Sequence, residues 1–189
     1  MLSIFENDLF IAQPIPSGYS WTLASRLGQM LKMAEAEYGK RDKSWTILGV
    51  EFVHDGPRVW FPGNCNHVVV QLGTAAAQDG QKAMFQLAHE VVHLLDPSSA
   101  KTTVLEEGIA TNFALSFMAK EMGNPSYKTG DQKYGNAATL VGTLLAAKND
   151  APKLLRQSFG PFHGITEKQI LQTCPSLPPS VANQLAAQF

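Results

Sequence analysis

The sequence predicts an α+β domain: an N-terminal helix, a small and mostly antiparallel sheet, a central helix with the candidate site, and a mainly helical C-terminal half. Three observations predict it. Apolar residues recur at helical spacing from Trp21 to Tyr38, β-branched and aromatic residues crowd positions 45–72, and helical periodicity returns at Lys82 and persists. A run of strands kept apart from a run of helices belongs to the α+β class. The 189 residues fit one domain, 1–189, large enough to bury a core.

Leu23, Leu27, Met30, Leu31 and Ala34 give the first helix its apolar stripe, and "KRDKS" ends the pattern. "WTILGVEFV", "RVWFPG" and "HVVVQL" read as three strands. With "HDGP" between them, the first two form a hairpin; "HVVVQL" follows and offers a free edge. "GTAAAQDG" is a loop or a ragged helix start, and the helix from Lys82 to Leu95 stops before Pro97. The loop "PSSAKTT" leads into a helix from about Val104 to Met122. "GNPSYKTGDQKYG" reads as a polar connection, and "NAATLVGTLLAAKN", "PKLLRQSF", "TEKQILQT" and "SVANQLAAQF" as further helices.

Composition excludes several classes of function. With 15 basic and 16 acidic residues the chain has no electrostatic footprint for nucleic acid or an anionic membrane surface. No apolar run approaches the roughly 18 residues of a membrane span. "MLSIFENDLF" has acidic residues where a signal peptide carries a basic region, so a cytoplasmic protein is expected. Cys65 and Cys174 belong to no CxxC pair and read as reduced thiols.

The chemistry gathers in "HEVVHLLDP", residues 89–97. On a helix, His89 and His93 lie one turn apart on one face with Glu90 beside them, and Met84, Phe85, Leu87, Val91, Val92, Leu94 and Leu95 cover the rest. Three ionisable groups on one wedge of an apolar helix would otherwise need three separate partners; one metal ion serves them all. Neutral imidazoles at i and i+4 converge on zinc, and the neighbouring carboxylate can hold a water.

A catalytic zinc takes a third protein ligand and keeps one open position. The next helix begins "TTVLEEGIATNFA", where Glu106 or Glu107 could supply it. Thr103 and Glu106 make T-x-x-E, a capping box that turns the glutamate back to the N-cap amide. That assigns Glu106 to structure and favours Glu107 as ligand. Gly108 and Ala110 are small enough for this helix to approach the first closely. Asp96 fits a supporting hydrogen bond or loop contact better than ligation, because a carboxylate is unfavourable at a helix C-terminus.

"HEVVH" followed by "LEEGIA" resembles the gluzincin metallopeptidases, a zincin-like family in which H-E-x-x-H is completed by the glutamate of an E-G-x-A helix. "VVVQL", "FQLAHEVVHLL" and "NFALSFM" also resemble the small zinc-peptidase domains that cleave phage-type repressors. The resemblance covers about residues 47–120 and implies His89, His93 and Glu107 as zinc ligands and Glu90 as general base. The spacer from His93 to Glu107 is shorter than in the large aminopeptidases. Thr111 stands where thermolysin-like enzymes carry an aspartate that supports the first histidine.

The expected activity is metallopeptidase hydrolysis of a peptide or protein substrate, with Glu90 taking the proton of the attacking water. Tyr127, Tyr134 and His163 are candidate donors to the oxyanion, with Tyr134 and His163 preferred. His54 and His67 sit at strand ends as solvated histidines. Two other readings compete: a non-peptidase zinc amide hydrolase, and a binding module with a closed structural zinc. The latter would take a fourth ligand, for which Cys65 is the nearby donor.

Overall fold

The computed structural model describes residues 9–189. The expectation that no signal peptide leads the chain rests mainly on residues 1–8 and lies outside them. A short antiparallel ribbon, β1 (Pro14–Ile15) and β2 (Gly18–Tyr19), comes first. Two-residue strands show no period, so sequence patterning does not detect them. Helix α1 (Leu23–Tyr38) opens on a reciprocal cap: the Ser25 N–H donates to Thr22 Oγ1 at 3.4 Å and the Thr22 N–H to Ser25 Oγ at 2.8 Å. Its buried stripe includes Leu23, Leu27, Met30, Ala34 and Tyr38, and Gly39, at φ 98°, ends it.

The three expected strands form, but their pairing differs from expectation. β3 (Thr46–Val53), β4 (Arg58–Trp60) and β5 (His67–Gly73) lie in the order β3–β5–β4. β3 runs parallel to β5, from Thr46 opposite His67 to Val53 opposite Gly73. β4 is antiparallel to β5, with Arg58 opposite Gln71 and Trp60 opposite Val69. The hairpin is thus β4–β5, not β3–β4, and the longer pairing is parallel, so the sheet is mixed rather than mostly antiparallel. Burial explains the order. Val68, Val70 and Leu72 are fully buried, and such an apolar strand is best covered in the middle of a sheet. The expected free edge of "HVVVQL" is consequently occupied on both sides; β3 and β4 hold the edges.

Helix α2 (Gly80–His93) packs against β5 and α1. Asp79 caps it by accepting from the Lys82 N–H at 3.0 Å, and Gln86 Oε1 accepts from the Gly73 N–H at 3.0 Å, tying helix to sheet. Helix α3 (Val104–Lys120) lies against α2, and α4 (Gln132–Ala147) against α3. α4 begins four residues before the expected "NAATLV" because Asp131 caps the polar turn, accepting from the Lys133 N–H at 2.8 Å. Gly108 serves the α3–α4 contact rather than an approach to α2. A Cβ at this position would sit 2.5 Å from the Ala137 carbonyl oxygen, and Asn112 Nδ2 donates to the Ala138 carbonyl at 2.8 Å alongside.

Helices α5 (Ala151–Phe159), α6 (Glu167–Thr173) and α7 (Pro179–Ala186) complete the chain. Arg156 on α5 locks three segments together. Its guanidinium grips Asp96 at 2.6 and 3.0 Å and donates to the carbonyls of Tyr38, Lys40 and Leu95. Residues 187–189 return to residues 102–104 through an antiparallel bridge between Thr103 and Gln188. Among the described residues, no helix is long and apolar enough to cross a membrane.

Candidate metal centre

The first turn of α3 faces the C-terminal half of α2, which brings His89, His93 and Glu107 together, three residues whose donor atoms lie close enough to bind one metal ion. His89 Nε2 and Glu107 Oε2 are 3.0 Å apart, the two Nε2 atoms 3.4 Å, and His93 Nε2 and Glu107 Oε2 3.7 Å. A tetrahedral ion with bonds of about 2.0–2.1 Å places its ligand atoms roughly 3.3 Å apart. The triangle fits that edge length.

Both histidine tautomers are set from behind. His93 Nδ1 lies 3.0 Å from Glu106 Oε1, and a carboxylate only accepts, so Nδ1 carries hydrogen and Nε2 keeps its lone pair for the ion. Thr111 Oγ1 donates to the Glu107 carbonyl at 2.8 Å, which leaves its lone pairs facing His89 Nδ1 at 3.5 Å. The threonine therefore stands behind the first histidine as an acceptor at long range. With both Nδ1 atoms protonated, the two Nε2 atoms and the Glu107 carboxylate face one another, an arrangement that calls for a cation among them, either a metal ion or a proton on His93 Nε2.

The metal-free electrostatics agree. Burial works against a charged His93, but the carboxylates of Glu106 and Glu107 at its two nitrogens outweigh it and hold the ring protonated well above the usual imidazole range. Burial also opposes the Glu107 charge, and the two imidazoles reverse this, pulling its carboxyl far below the usual carboxylate range. Glu90 behaves differently. Only 5% exposed, its carboxyl is pushed up by burial, against opposing pulls from His89, His93 and the Val59 amide of β4.

The expected capping box is only half present. Thr103 Oγ1 does accept from the Glu106 N–H, at 3.3 Å, but the Glu106 carboxylate abandons the N-cap amide for His93. An imidazole N–H inside the protein is a stronger claim on a carboxylate than an amide at a helix end. Asp96 is outside the ligand group and neutralised by Arg156. Cys65 is exposed in the β4–β5 loop and is not part of the group.

A cleft opens over the triangle in two lobes that share Pro57, His89, Glu90 and Tyr134. The lobe of about 190 Å³ runs past Arg58, Glu106 and Thr102 to His163, which lies in a single turn of 3₁₀ helix. The lobe of about 390 Å³ is floored by Phe85 and Tyr127, whose rings stack at 4.9 Å. Tyr134, in the first turn of α4, stands edge-on to His89 at 5.4 Å. Burial and then Glu107, Glu90 and Asp131 push its phenol up to about 12, so it remains an O–H donor near neutrality. The cleft thus has Tyr134 and Glu90 on the wall of both lobes, His163 in the smaller one and Tyr127 in the larger. His54 and His67 are outside the cleft lining, and His54 Nδ1 lies 3.4 Å from Thr74 Oγ1. Sequence reasoning missed the wall made by Pro57, Arg58 and Val59, which carries no local signal because the sheet order creates it. Compared with protein families, curated proteins and solved structures, the chain matches none.

Proposed function

We propose that the protein is a zinc-dependent metallopeptidase of gluzincin-like, zincin-like character, with His89, His93 and Glu107 as ligands and Glu90 as general base. The observation that carries the reading is the ligand triangle with its outward Nε2 atoms and a buried carboxylate one residue from the first ligand. Two imidazoles and one carboxylate form a set suited to zinc, with a coordination position left for chemistry. Bound there, the ion would polarise a carbonyl and acidify a water.

The chain's own groups do the rest. Glu90, whose carboxyl is pushed upward by burial, takes a proton from the attacking water and delivers it to the departing amine. Tyr134 supplies an O–H toward the developing oxyanion, and His163 is the alternative donor on the opposite lobe. An extended peptide finds unpaired backbone groups on the free edge of β4, where Pro57–Val59 line the cleft, rather than on β5.

The test begins with metal content. The purified protein should hold about one zinc per chain, and His89→Ala or His93→Ala should lose it. Glu90→Gln should keep zinc and lose cleavage of a mixed peptide library by several orders of magnitude. Near wild-type turnover by that variant would remove Glu90 from the role of base, and a metal-free protein with no uptake on titration would end the zinc reading.

A further inference from the structure

We propose that Phe189 is a positioning residue that holds the Tyr134 ring at the cleft. The inference rests on the peptidase reading for the role of the Tyr134 hydroxyl, whereas the placement rests on packing alone. Tyr134 enters the first turn of α4 among Gln132, Lys133, Gly135 and Asn136, so its own turn offers it no apolar side chain to pack against. Among the described residues its ring meets two others, His89 with centroids 5.4 Å apart and Phe189 at 4.8 Å. The closer support is Phe189.

Phe189 is itself fixed from two directions. Its N–H donates to the Thr102 carbonyl at 3.0 Å. Two residues earlier, the Ala187 carbonyl accepts from the Val104 N–H at 3.0 Å, an amide that a helix start leaves without an internal partner. Lys133 Nζ lies 3.8 Å from the Phe189 ring centroid, a cation–π contact that ties the ring to the neighbour of Tyr134. Residues 187–189 are thereby anchored at the start of α3, the helix that carries Glu107, and Phe189 reaches from there to α4. A ring packed this way loses rotational freedom before substrate arrives. A donor fixed in advance stabilises a developing oxyanion without reorganising during the reaction.

The placement is tested without metal or substrate. Full-length, metal-free protein labelled with 3-fluorotyrosine should give four fluorine NMR signals, from Tyr19, Tyr38, Tyr127 and Tyr134, and Tyr134→Phe identifies the last. In Phe189→Ala the Tyr134 signal should move toward that of the free amino acid, while the signal of buried Tyr38 stays in place as the mark of an intact fold. If the Tyr38 signal collapses as well, Phe189→Leu, which keeps bulk and removes the ring, takes the place of alanine. A Tyr134 signal unmoved by loss of the Phe189 ring overturns the proposal.

Peptide cleavage by the zinc-loaded protein then tests the role. Phe189→Ala should lower kcat about tenfold with KM unchanged, and Phe189→Tyr, which keeps the ring, should restore it. In a Tyr134→Phe background Phe189→Ala should cost nothing further, because both changes act on one hydroxyl. An unchanged kcat in Phe189→Ala, or a loss undiminished in that background, overturns the positioning role and leaves the peptidase reading standing. If the wild type cleaves no peptide, the peptidase reading falls, and the fluorine signal alone decides whether Phe189 holds Tyr134.

Discussion

Replacing Glu106 by alanine separates the capping role read from sequence from the histidine-supporting role seen in the fold. The substitution removes the acceptor 3.0 Å from His93 Nδ1 and frees that ring to rotate or change tautomer. Loss of such a supporting carboxylate weakens metal binding about 10–100-fold, or about 1.4–2.7 kcal/mol. Thr103→Ala removes only the 3.3 Å cap on the Glu106 N–H and should cost about 0.5–2 kcal/mol of stability with zinc affinity unchanged. Glu107→Ala removes a ligand and should weaken binding well beyond either. Zinc affinity is read by competition with a chromophoric chelator, and stability by denaturant unfolding of the metal-free proteins. If Glu106→Ala keeps wild-type affinity while Thr103→Ala loses it, the carboxylate does not support His93. The metal-centre reasoning would then fail at that residue.

Three further outcomes follow from the geometry. Arg156→Met leaves Asp96 without its partner and takes a donor from the carbonyls of Tyr38, Lys40 and Leu95, the last of which keeps the Asp42 N–H, so metal-free stability should fall by about 3–5 kcal/mol in denaturant unfolding; a loss below 1 kcal/mol, roughly the worth of an exposed pair, would show the cross-link to be idle. Gly108→Ala drives a Cβ to 2.5 Å from the Ala137 carbonyl and should cost about 1–3 kcal/mol, read as a lowered melting temperature. Zinc affinity should depend on pH with a definite sign. Because the metal-free pKa of His93 is raised, zinc must displace a proton at neutral pH; affinity should rise about tenfold per pH unit up to that raised value and level off above it. A flat profile between pH 6 and 8, measured by competition titration, would place the displaced proton elsewhere.

How far the fold and site are legible in the sequence depends on the range of each signal. The helix period marks α1, α2 and α3 because their apolar stripes span several turns of local chain. Sheet order is a different matter: β3 and β4 are neighbours in sequence, and only burial of β5 on both sides forces it between them. His89 and His93 share a helix face by arithmetic, so their convergence follows from spacing alone. Glu106 and Glu107 differ by which partner each finds across the α2–α3 contact. T-x-x-E describes one partner for Glu106, the local amide, and the imidazole arriving from α2 is invisible to it. Tyr134 reads as part of a polar connection because "QKYG" carries no apolar stripe; the Asp131 cap starts the helix there. The β4 wall and the Arg156 lock depend on separations such as the 60 residues between Asp96 and Arg156, beyond any motif.

The α2–α3 pair has a consequence for the order in which the molecule is made. His89 and Glu107 are 18 residues apart, whereas Arg156 reaches back 116 residues to Lys40. Closing the shorter loop costs less chain entropy, and its two helices are synthesised before α4 through α7. The His89–His93–Glu107 triangle can thus close on a nascent helical hairpin before the cleft walls bearing Tyr134 and His163 have packed. The α2–α3 contact and the Arg156 clasp become successive events in biogenesis, the clasp arriving late to fasten a pair of helices already in place.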